Sequence, residues 1–299
     1  MNLSMLQDHE YLTVRELAEL LRLKERKIYD LAASGEVPCS RATGKLLFPA
    51  SEIRNWIESA KSGGPSQGVR AMEDRPAILL GSHDPLLDWA IRQSGCGLAT
   101  FYDGSYDGLE RFVRGEGVAA GVHIHDARTG TWNLPAVTAA AAGQNAVLIS
   151  FASRSRGLVF RKGGPCPAGI ADLAGLRLAP RQPQSGTDRL FADIAEAEGL
   201  DTTQFTLTEV ARTEDEAVEM VRRGEADVTF GLANVAQSYG LAFTPLIEEE
   251  FGLLLDRKAW FEPPLQALIQ FCQSDRFRQR TADRGGYSLE RHGEILWNA

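Results

Sequence analysis

Short apolar segments alternate with amphipathic ones in the middle of this chain, and this alternation limits the fold more than any other feature. AILLG (77–81), GLATFYDG (97–104) and GVAAGVHIHD (117–126) have the length and composition of strands, and the segments between them have helical spacing. Strands that alternate with helices predict a parallel sheet, in which ligands bind at the carboxyl ends of the strands. The expected fold class is therefore α/β.

Polar residues follow two of these predicted strands. GSHDPLLDW begins at Gly81, and VHIHD covers 122–126, so histidine and aspartate side chains collect at strand ends. Such a set would suffice for a metal-dependent hydrolase, which stays the alternative of another class. The chain has no acidic cluster at a familiar metal spacing and no GxSxG, Walker A or HExxH motif. We therefore predict a binding loop, with no catalytic residue and no metal ligand.

Three hydroxyl-bearing segments precede or open a predicted helix at a strand-to-helix switch. A helix start presents unpaired N–H groups at the positive end of the helix dipole, which suits an anion or a carboxylate. A single such serine is more often an ordinary N-cap, but three of them favour a binding site. His123 could line the same site, whereas His125 is expected to be structural. The predicted ligand-binding residues are Ser82, His83, Ser105, His123, Ser185, Gly186 and Thr187.

The first 60 residues have a different pattern. Thr13 and Glu16 fit a capping box, and leucines then recur at helical spacing. A second, basic helix follows a short turn and ends near Ser34-Gly35. Two extended pieces around Thr43-Gly44 precede a third helix. This order of elements predicts a winged helix-turn-helix in residues 1–60.

Charge is distributed unevenly between the two parts of the chain. Residues 1–61 carry nine Lys/Arg and nine Asp/Glu, so the whole net charge of −8 lies in the remainder. A basic helix can enter the major groove, and basic residues on a wing can neutralise phosphates. A module that binds protein instead of DNA is the plainer alternative. The predicted DNA-binding residues are Lys24, Arg26, Lys27, Tyr29, Arg41 and Lys45.

Gly, Ser and Pro dominate KSGGPSQGVRAMEDRP, so we predict a flexible linker at 61–75. The four cysteines form no CxxC pair, which argues against a zinc site or a disulfide framework. The chain has no run of 18 apolar residues and does not begin with a signal-like segment, so a cytoplasmic protein without membrane contact is expected.

The N-terminal pattern resembles that of the excisionase-type, MerR-like DNA-binding domains, and the match covers about 50 residues. This resemblance implies that the segment binds double-stranded DNA, and a symmetric homodimer on paired half-sites is expected. The matching residues, in order, are Leu12-Thr13, Glu16, Ala18, Leu21, Tyr29, Gly35, Pro38, Arg41, Phe48, Ile53 and Trp56.

The rest of the chain resembles the periplasmic-binding-protein-like domain that follows a helix-turn-helix in bacterial and archaeal regulators and is fused to some molybdopterin-biosynthesis proteins. GSHDPLLDW, YDGSYDGLERFVRGEGVAAGVHIHDARTGTWNLPAV and QSGTDRLF carry the likeness. It implies a type II fold of two α/β lobes, with strands crossing between them near 145–160 and 247–257. The implied domain is 76–299, with one lobe at about 76–150 and 258–299 and the other at about 160–246.

These resemblances imply a one-component transcription regulator whose effector binds between the lobes and which needs no cofactor. Molybdate or tungstate is the leading effector, and a small organic carboxylate is next. A transport binding protein is a third alternative, but it would not carry a DNA-binding domain. Gln184 and Asp188 stand where the family has Gly and Arg, and Asp188 would oppose a highly charged anion.

Overall fold

The computed structural model describes residues 10–40, 44–59, 75–183 and 185–299. It separates the chain into two compact units, Met1–Glu73 and Asp74–Ala299. Two predicted positions lie outside the described residues, namely the wing residue Arg41 and Gln184, which departs from the family pattern. The linker predicted at 61–75 also lies outside them, except for Arg75. The Nε of Arg75 lies 3.2 Å from Asp256 Oδ2, so this last linker residue is bound to the large unit.

The small unit has the predicted winged helix-turn-helix order. Its elements are β1 (Tyr11–Thr13), α1 (Val14–Leu21), α2 (Glu25–Ala33), β2 (Leu47–Pro49) and α3 (Ala50–Ser59). Strands β1 and β2 pair antiparallel. Side chains from all three helices and from β2 meet in one apolar core, which fixes the angle between α1 and α2.

Local interactions in the small unit explain where its helices begin and end. The predicted capping box is confirmed, because Thr13 Oγ1 accepts the N–H of Glu16 at 3.3 Å and Glu16 Oε2 accepts the N–H of Thr13 at 2.7 Å. Helix α1 ends at Arg22, which adopts a left-handed φ of 55°. Leu17 and Ile28 are fully buried where α1 and α2 pack together.

The large unit is a mixed α/β structure. Two of its strands, β8 (Ala146–Phe160) and β12 (Ala242–Asp256), are 15 residues long, about three times the mean length of a strand. Its strands are β3 (Ile78–Gly81), β4 (Ala99–Tyr102), β5 (Ala119–Val122), β6 (His125–Asp126), β7 (Thr131–Trp132), β8 (Ala146–Phe160), β9 (Arg177–Ala179), β10 (Thr206–Leu207), β11 (Val228–Leu232), β12 (Ala242–Asp256), β13 (Tyr287–Ser288) and β14 (Ile295–Asn298). Its helices are α4 (Pro85–Ser94), α5 (Ser105–Val113), α6 (Leu134–Ala141), α7 (Gly186–Ala197), α8 (Glu214–Arg223), α9 (Ala233–Ser238), α10 (Pro263–Cys272) and α11 (Asp275–Arg284).

The main sheet of the large unit is built on β8 and β12, which pair antiparallel along their length. The sheet order is β10-β9-β11-β8-β12-β5-β3-β4, and β13 and β14 also pair with β8. Strands β3, β4 and β5 are mutually parallel and join the C-terminal half of β12, whereas β9, β10 and β11 join the C-terminal half of β8. The long pair therefore connects two half-sheets.

We call the half with β3–β5 the first lobe and the half with β9–β11 the second lobe. Helices α4 and α10 cover one face of the first half-sheet, with Leu86 and Leu265 in the same apolar cluster. In the second lobe Leu190 of α7 and Phe230 of β11 share a cluster. Each half-sheet thus has its own core, and the strand ends of both are left facing the boundary between the lobes.

Within the described ranges, no helix is long and apolar enough to span a membrane.

Candidate ligand-binding site

A cavity of about 610 Å³ lies at the strand ends of the large unit and is lined from both lobes. Its volume is within the range of small-molecule sites. Ser105 is only 1% exposed and does not line the cavity. The structure brings the other six predicted ligand-binding residues to the cavity wall, namely Ser82, His83, His123, Ser185, Gly186 and Thr187.

The first-lobe wall is formed by the turn from β3 into α4. Gly81 adopts a φ of +96°, and a Cβ atom there would lie 2.3 Å from the carbonyl oxygen of Gly121, so only glycine fits at this turn. Ser82 and Ser105 share a hydrogen bond between their hydroxyls at 2.8 Å. The Ser105 hydroxyl also accepts the backbone N–H of His123 at 2.9 Å. Ser105 therefore holds two lining residues in place and is not itself in contact with the cavity.

One part of the second-lobe wall is the start of α7. Ser185 accepts the N–H of Asp188 at 3.1 Å, which is an ordinary N-cap. Thr187 Oγ1 donates to Glu214 Oε1 at 3.2 Å. Gly186 is packed against the first lobe, since a Cβ atom on it would lie 2.8 Å from Cε1 of His123. The two lobes touch at this point, and any larger residue would separate them.

Asp84, which follows His83, has a structural role. Its carboxylate accepts the N–H groups of Leu86 and Leu87 at 2.9 and 2.8 Å, so Asp84 caps its own helix. The same side chain accepts the hydroxyl of Tyr287 at 2.8 Å. Asp84 is completely buried and leaves no oxygen for a ligand.

A buried chain of alternating charges runs along the long strands next to the cavity. Arg154 and Arg156 lie two residues apart on β8, each is 1% exposed, and both pair with the carboxylate of Glu249 on β12. At one end Arg154 Nη1 lies 3.0 Å from Asp84 Oδ2, and at the other Arg156 Nη1 lies 2.8 Å from Glu214 Oε1. This network links the start of α4 in the first lobe to the start of α8 in the second.

Glu214 is the point at which the network meets the cavity. Its Oε1 lies 2.8 Å from Arg156 Nη1 and 3.0 Å from Arg181 Nη1. Burial raises the pKa of this carboxyl, but the guanidinium groups of Arg156 and Arg181 outweigh burial and lower the pKa to about 2. Glu214 is therefore ionised near neutral pH and is unsuited to act as a general acid there.

Two arginines bring positive charge to the second-lobe rim. Arg181 Nη2 donates to the carbonyl oxygen of Arg212 at 2.8 Å, which fixes the backbone of the next loop. The side chain of Arg212 is exposed, lines the cavity, and makes no hydrogen bond or ion pair with any residue that the structure describes. Arg212 is thus the guanidinium best placed to contact an anionic ligand.

His123 lies in the cavity wall and is buried. Burial and the positive charges of Arg154, Arg156 and Arg181 lower its pKa well below 6.5. Its Nδ1 is 3.1 Å from Glu249 Oε1, but the two atoms are not aligned for a hydrogen bond. The ring is therefore neutral near neutral pH.

The three histidines of the opening motifs do not converge. His83 packs edge-on against Tyr102, with ring centroids 5.3 Å apart. His125 lies away from the cavity lining, and its Nδ1 is 3.1 Å from Asp193 Oδ2 of the second lobe. Within the described part of the chain, no group of three or more His, Cys, Asp or Glu side chains could hold a metal ion.

Sequence reasoning missed the charged residues of the cavity lining, namely Asp103, Arg156, Arg181, Arg212, Glu214 and Asp215. One signal was available: two arginines alternate with serines inside an otherwise apolar strand, in SRSRG. Charged side chains at that position must be paired or must face a site, because an unpaired buried charge is costly.

The small unit presents a separate basic surface. Lys24, Arg26, Lys27 and Tyr29 are all exposed on α2 or at its start, whereas Ile28 is buried in the core. On the wing, Ser40 and Leu47 exchange backbone hydrogen bonds of 2.7 and 3.0 Å. Lys45 between them is exposed.

Comparisons with known proteins support both units. A family profile described as a PBP superfamily domain matches residues 88–273, and one described as a helix-turn-helix domain matches residues 11–61. The uncharacterized protein YvgK of Bacillus subtilis (strain 168) is 24% identical over 300 residues, which cover 95% of this chain and 97% of that protein. A Clostridium perfringens substrate-binding protein, solved with bound phosphate, is 12% identical and has a TM-score of 0.52; the match covers 69% of this chain and 96% of that one. This structural likeness shows the fold of the large unit.

Proposed function

Because the chain belongs to the PBP superfamily and carries a helix-turn-helix domain ahead of the PBP domain, we propose that it is a ligand-responsive transcription regulator. The small unit binds DNA, and the large unit binds a small anionic effector between its lobes. The domain boundaries that we propose are 1–60, 61–75 and 76–299, with lobes at about 76–150 plus 258–299 and at about 160–246. This architecture fits a binding protein and not an enzyme.

The observation that carries the effector proposal is the cavity itself, which is lined by both lobes and has Arg212 at its rim. Ser82 and the start of α7 add neutral donors on opposite walls. A ligand that touches both lobes stabilises the arrangement in which they are close, and this gives it a differential affinity for two conformations. Such a difference is what a regulator needs.

An anion is favoured because the rim guanidinium forms no ion pair with any described residue, although Asp103 and Asp215 also line the cavity, whereas Glu214 is neutralised by two arginines. Tetrahedral oxyanions such as molybdate or tungstate and small organic carboxylates both meet this requirement. We propose Ser82, His83, His123, Ser185, Gly186 and Thr187 as contacts, together with Arg212. A hydrolase has less support, because the histidines do not converge on one point.

The DNA-binding part of the proposal depends on α2. Its basic side chains point away from the core that holds the unit together, as the recognition helix of a helix-turn-helix requires. Lys45 on the wing would contact phosphates beside it.

This part is tested with a DNA duplex selected from a random library by the full-length protein. The double variant Arg26→Ala/Lys27→Ala should bind it at least about tenfold more weakly, and the slope of log affinity against log salt should fall by about 2. The control is Arg222→Ala/Arg223→Ala on α8, which removes the same charge from the large unit. Equal weakening in both double variants would contradict the assignment to α2.

A further inference from the structure

A second, smaller cavity lies in the second lobe beside the first. It has a volume of about 150 Å³, is partly open to the surface, and is lined by α7, the end of β9 and the segment 202–207. We call it the side pocket. Arg181 and Thr187 line both it and the central cavity, so the two spaces adjoin.

The side pocket is apolar where the central cavity is polar. Its wall includes Leu178 and three phenylalanines. The ring of Phe191 lies 5.5 Å from that of Phe230 and 5.9 Å from that of Phe205, measured between centroids, so the aromatic wall is packed and rigid. An apolar cavity of about 150 Å³ is large enough to hold a benzene-sized group and is not a favourable place for water.

An inorganic oxyanion would use the central cavity and leave the side pocket empty. A ligand with an apolar arm of about six carbons would use both, because the arm could reach the aromatic wall while its charged end stayed near Arg212. Asp188 also lines the side pocket. The arm should be uncharged, because a charge on it would be buried against Leu178 and the phenylalanine rings.

We propose that the effector is an organic monoanion with an aromatic or branched apolar arm, whose anionic end lies in the central cavity and whose arm fills the side pocket. This inference rests on the proposed function and narrows its effector class. It accounts for two adjoining cavities of opposite character, which a tetrahedral anion does not.

Titration calorimetry on the full-length protein tests the proposal with probes that share a charge and differ in the arm. Acetate has no arm, phenylacetate has an aromatic one, and molybdate serves as the oxyanion. We expect phenylacetate to bind at least about tenfold more tightly than acetate, since burying even one or two carbons in an apolar pocket produces that ratio.

Variants locate the arm. Ala192 lines the side pocket from an exposed position on α7, so Ala192→Phe should fill the pocket without disturbing the core and should bring the phenylacetate-to-acetate ratio close to one. Ala197→Phe, an exposed position on the same helix outside the lining, should keep the wild-type ratio. Thr202→Phe fills the pocket from a different segment and guards against a misfolded first variant.

The outcomes separate the two proposals. If phenylacetate binds no more tightly than acetate, or if both pocket-filling variants keep the wild-type ratio, the side-pocket inference is wrong. Binding of molybdate or acetate would then still leave the proposed anion site standing. If none of the three anions binds, the anion site and the side-pocket inference both fail.

Discussion

The two lobes meet the cavity with similar strand-to-helix turns but use their hydroxyl groups differently. In the first lobe the hydroxyls of Ser82 and Ser105 bond to each other and, through Ser105, to a backbone N–H group. In the second lobe Ser185 caps a helix, and Thr187 donates to an ionised carboxylate. The first lobe thus offers neutral hydroxyl dipoles with the carboxylate of Asp103 beside them, whereas the second brings charge of both signs through Arg181, Arg212, Glu214 and Asp215.

This difference indicates how the site divides its tasks. Guanidinium groups of the second lobe supply attraction for an anion, and the hydrogen-bonded hydroxyls of the first lobe supply the fit. Arg154 and Arg156 can be buried beside the cavity only because both pair with the carboxylate of Glu249.

The largest effect is expected from Glu249→Ala. This variant leaves Arg154 and Arg156 buried without their shared carboxylate, so the free energy of unfolding should fall by about 3–5 kcal/mol. Urea denaturation followed by circular dichroism measures it. Glu209→Ala, an exposed glutamate of the second lobe, is the control and should change little. A small effect of Glu249→Ala would show that the network does not hold the lobes together.

Arg212→Ala should weaken anion binding by about tenfold to a hundredfold, because a hydrogen bond to a charged group contributes about 1.5–3 kcal/mol. Stability should be unchanged, since the side chain is exposed and unpaired among the described residues. Calorimetry with the anion that binds wild-type protein measures the loss. His83→Ala on the first lobe is the matched comparison. If it weakened anion binding as much as Arg212→Ala does, the second lobe would not be the main source of attraction for the anion.

Ser105→Ala should lower stability by about 1–2 kcal/mol, because the buried N–H of His123 loses its acceptor. Ser82→Ala should lower stability less than Ser105→Ala does, and it should weaken ligand binding by a few-fold. Thermal denaturation and calorimetry on both variants separate the two roles. The assignment would be reversed if Ser105→Ala affected the ligand alone.

The smallest effect is a pH dependence of stability. The pKa of His123 is lowered in the folded protein, so below about pH 6.5 the unfolded chain takes up a proton that the folded one does not. The resulting loss of stability is at most about 1.4 kcal/mol per pH unit as pH falls below that value. The loss should be reduced in His123→Gln. An unchanged pH profile in that variant would show that His123 is not the group responsible.

Local features of the fold could be predicted from the sequence because neighbouring residues determine them. The capping box of Thr13 and Glu16 and the N-cap of Asp84 each act within three residues. The alternation of strands and helices similarly indicated the parallel strands β3, β4 and β5, although the whole sheet is mixed. The polar residues at strand ends and helix starts led to six lining residues of the cavity.

The charged network and the side pocket could not be predicted, because they depend on residues that are far apart in sequence. Glu249 lies 95 residues from Arg154 and 93 from Arg156, and the β8–β12 register alone brings them together. The wall of the side pocket combines Leu178, Phe205 and Phe230 from three segments. The role of Ser105 was also hidden, since a helix-start serine can either face a ligand or support the residue that does.

The central claim is that a ligand in the large unit changes DNA binding by the small unit. The measurement is the Kd of the selected duplex for full-length protein, by fluorescence anisotropy, with and without a saturating concentration of an anion shown by calorimetry to bind. We predict a change of at least about fivefold, which corresponds to a coupling free energy of about 1 kcal/mol, and its loss in Arg212→Ala. An anion that saturates the large unit but leaves the Kd for DNA unchanged would contradict the account.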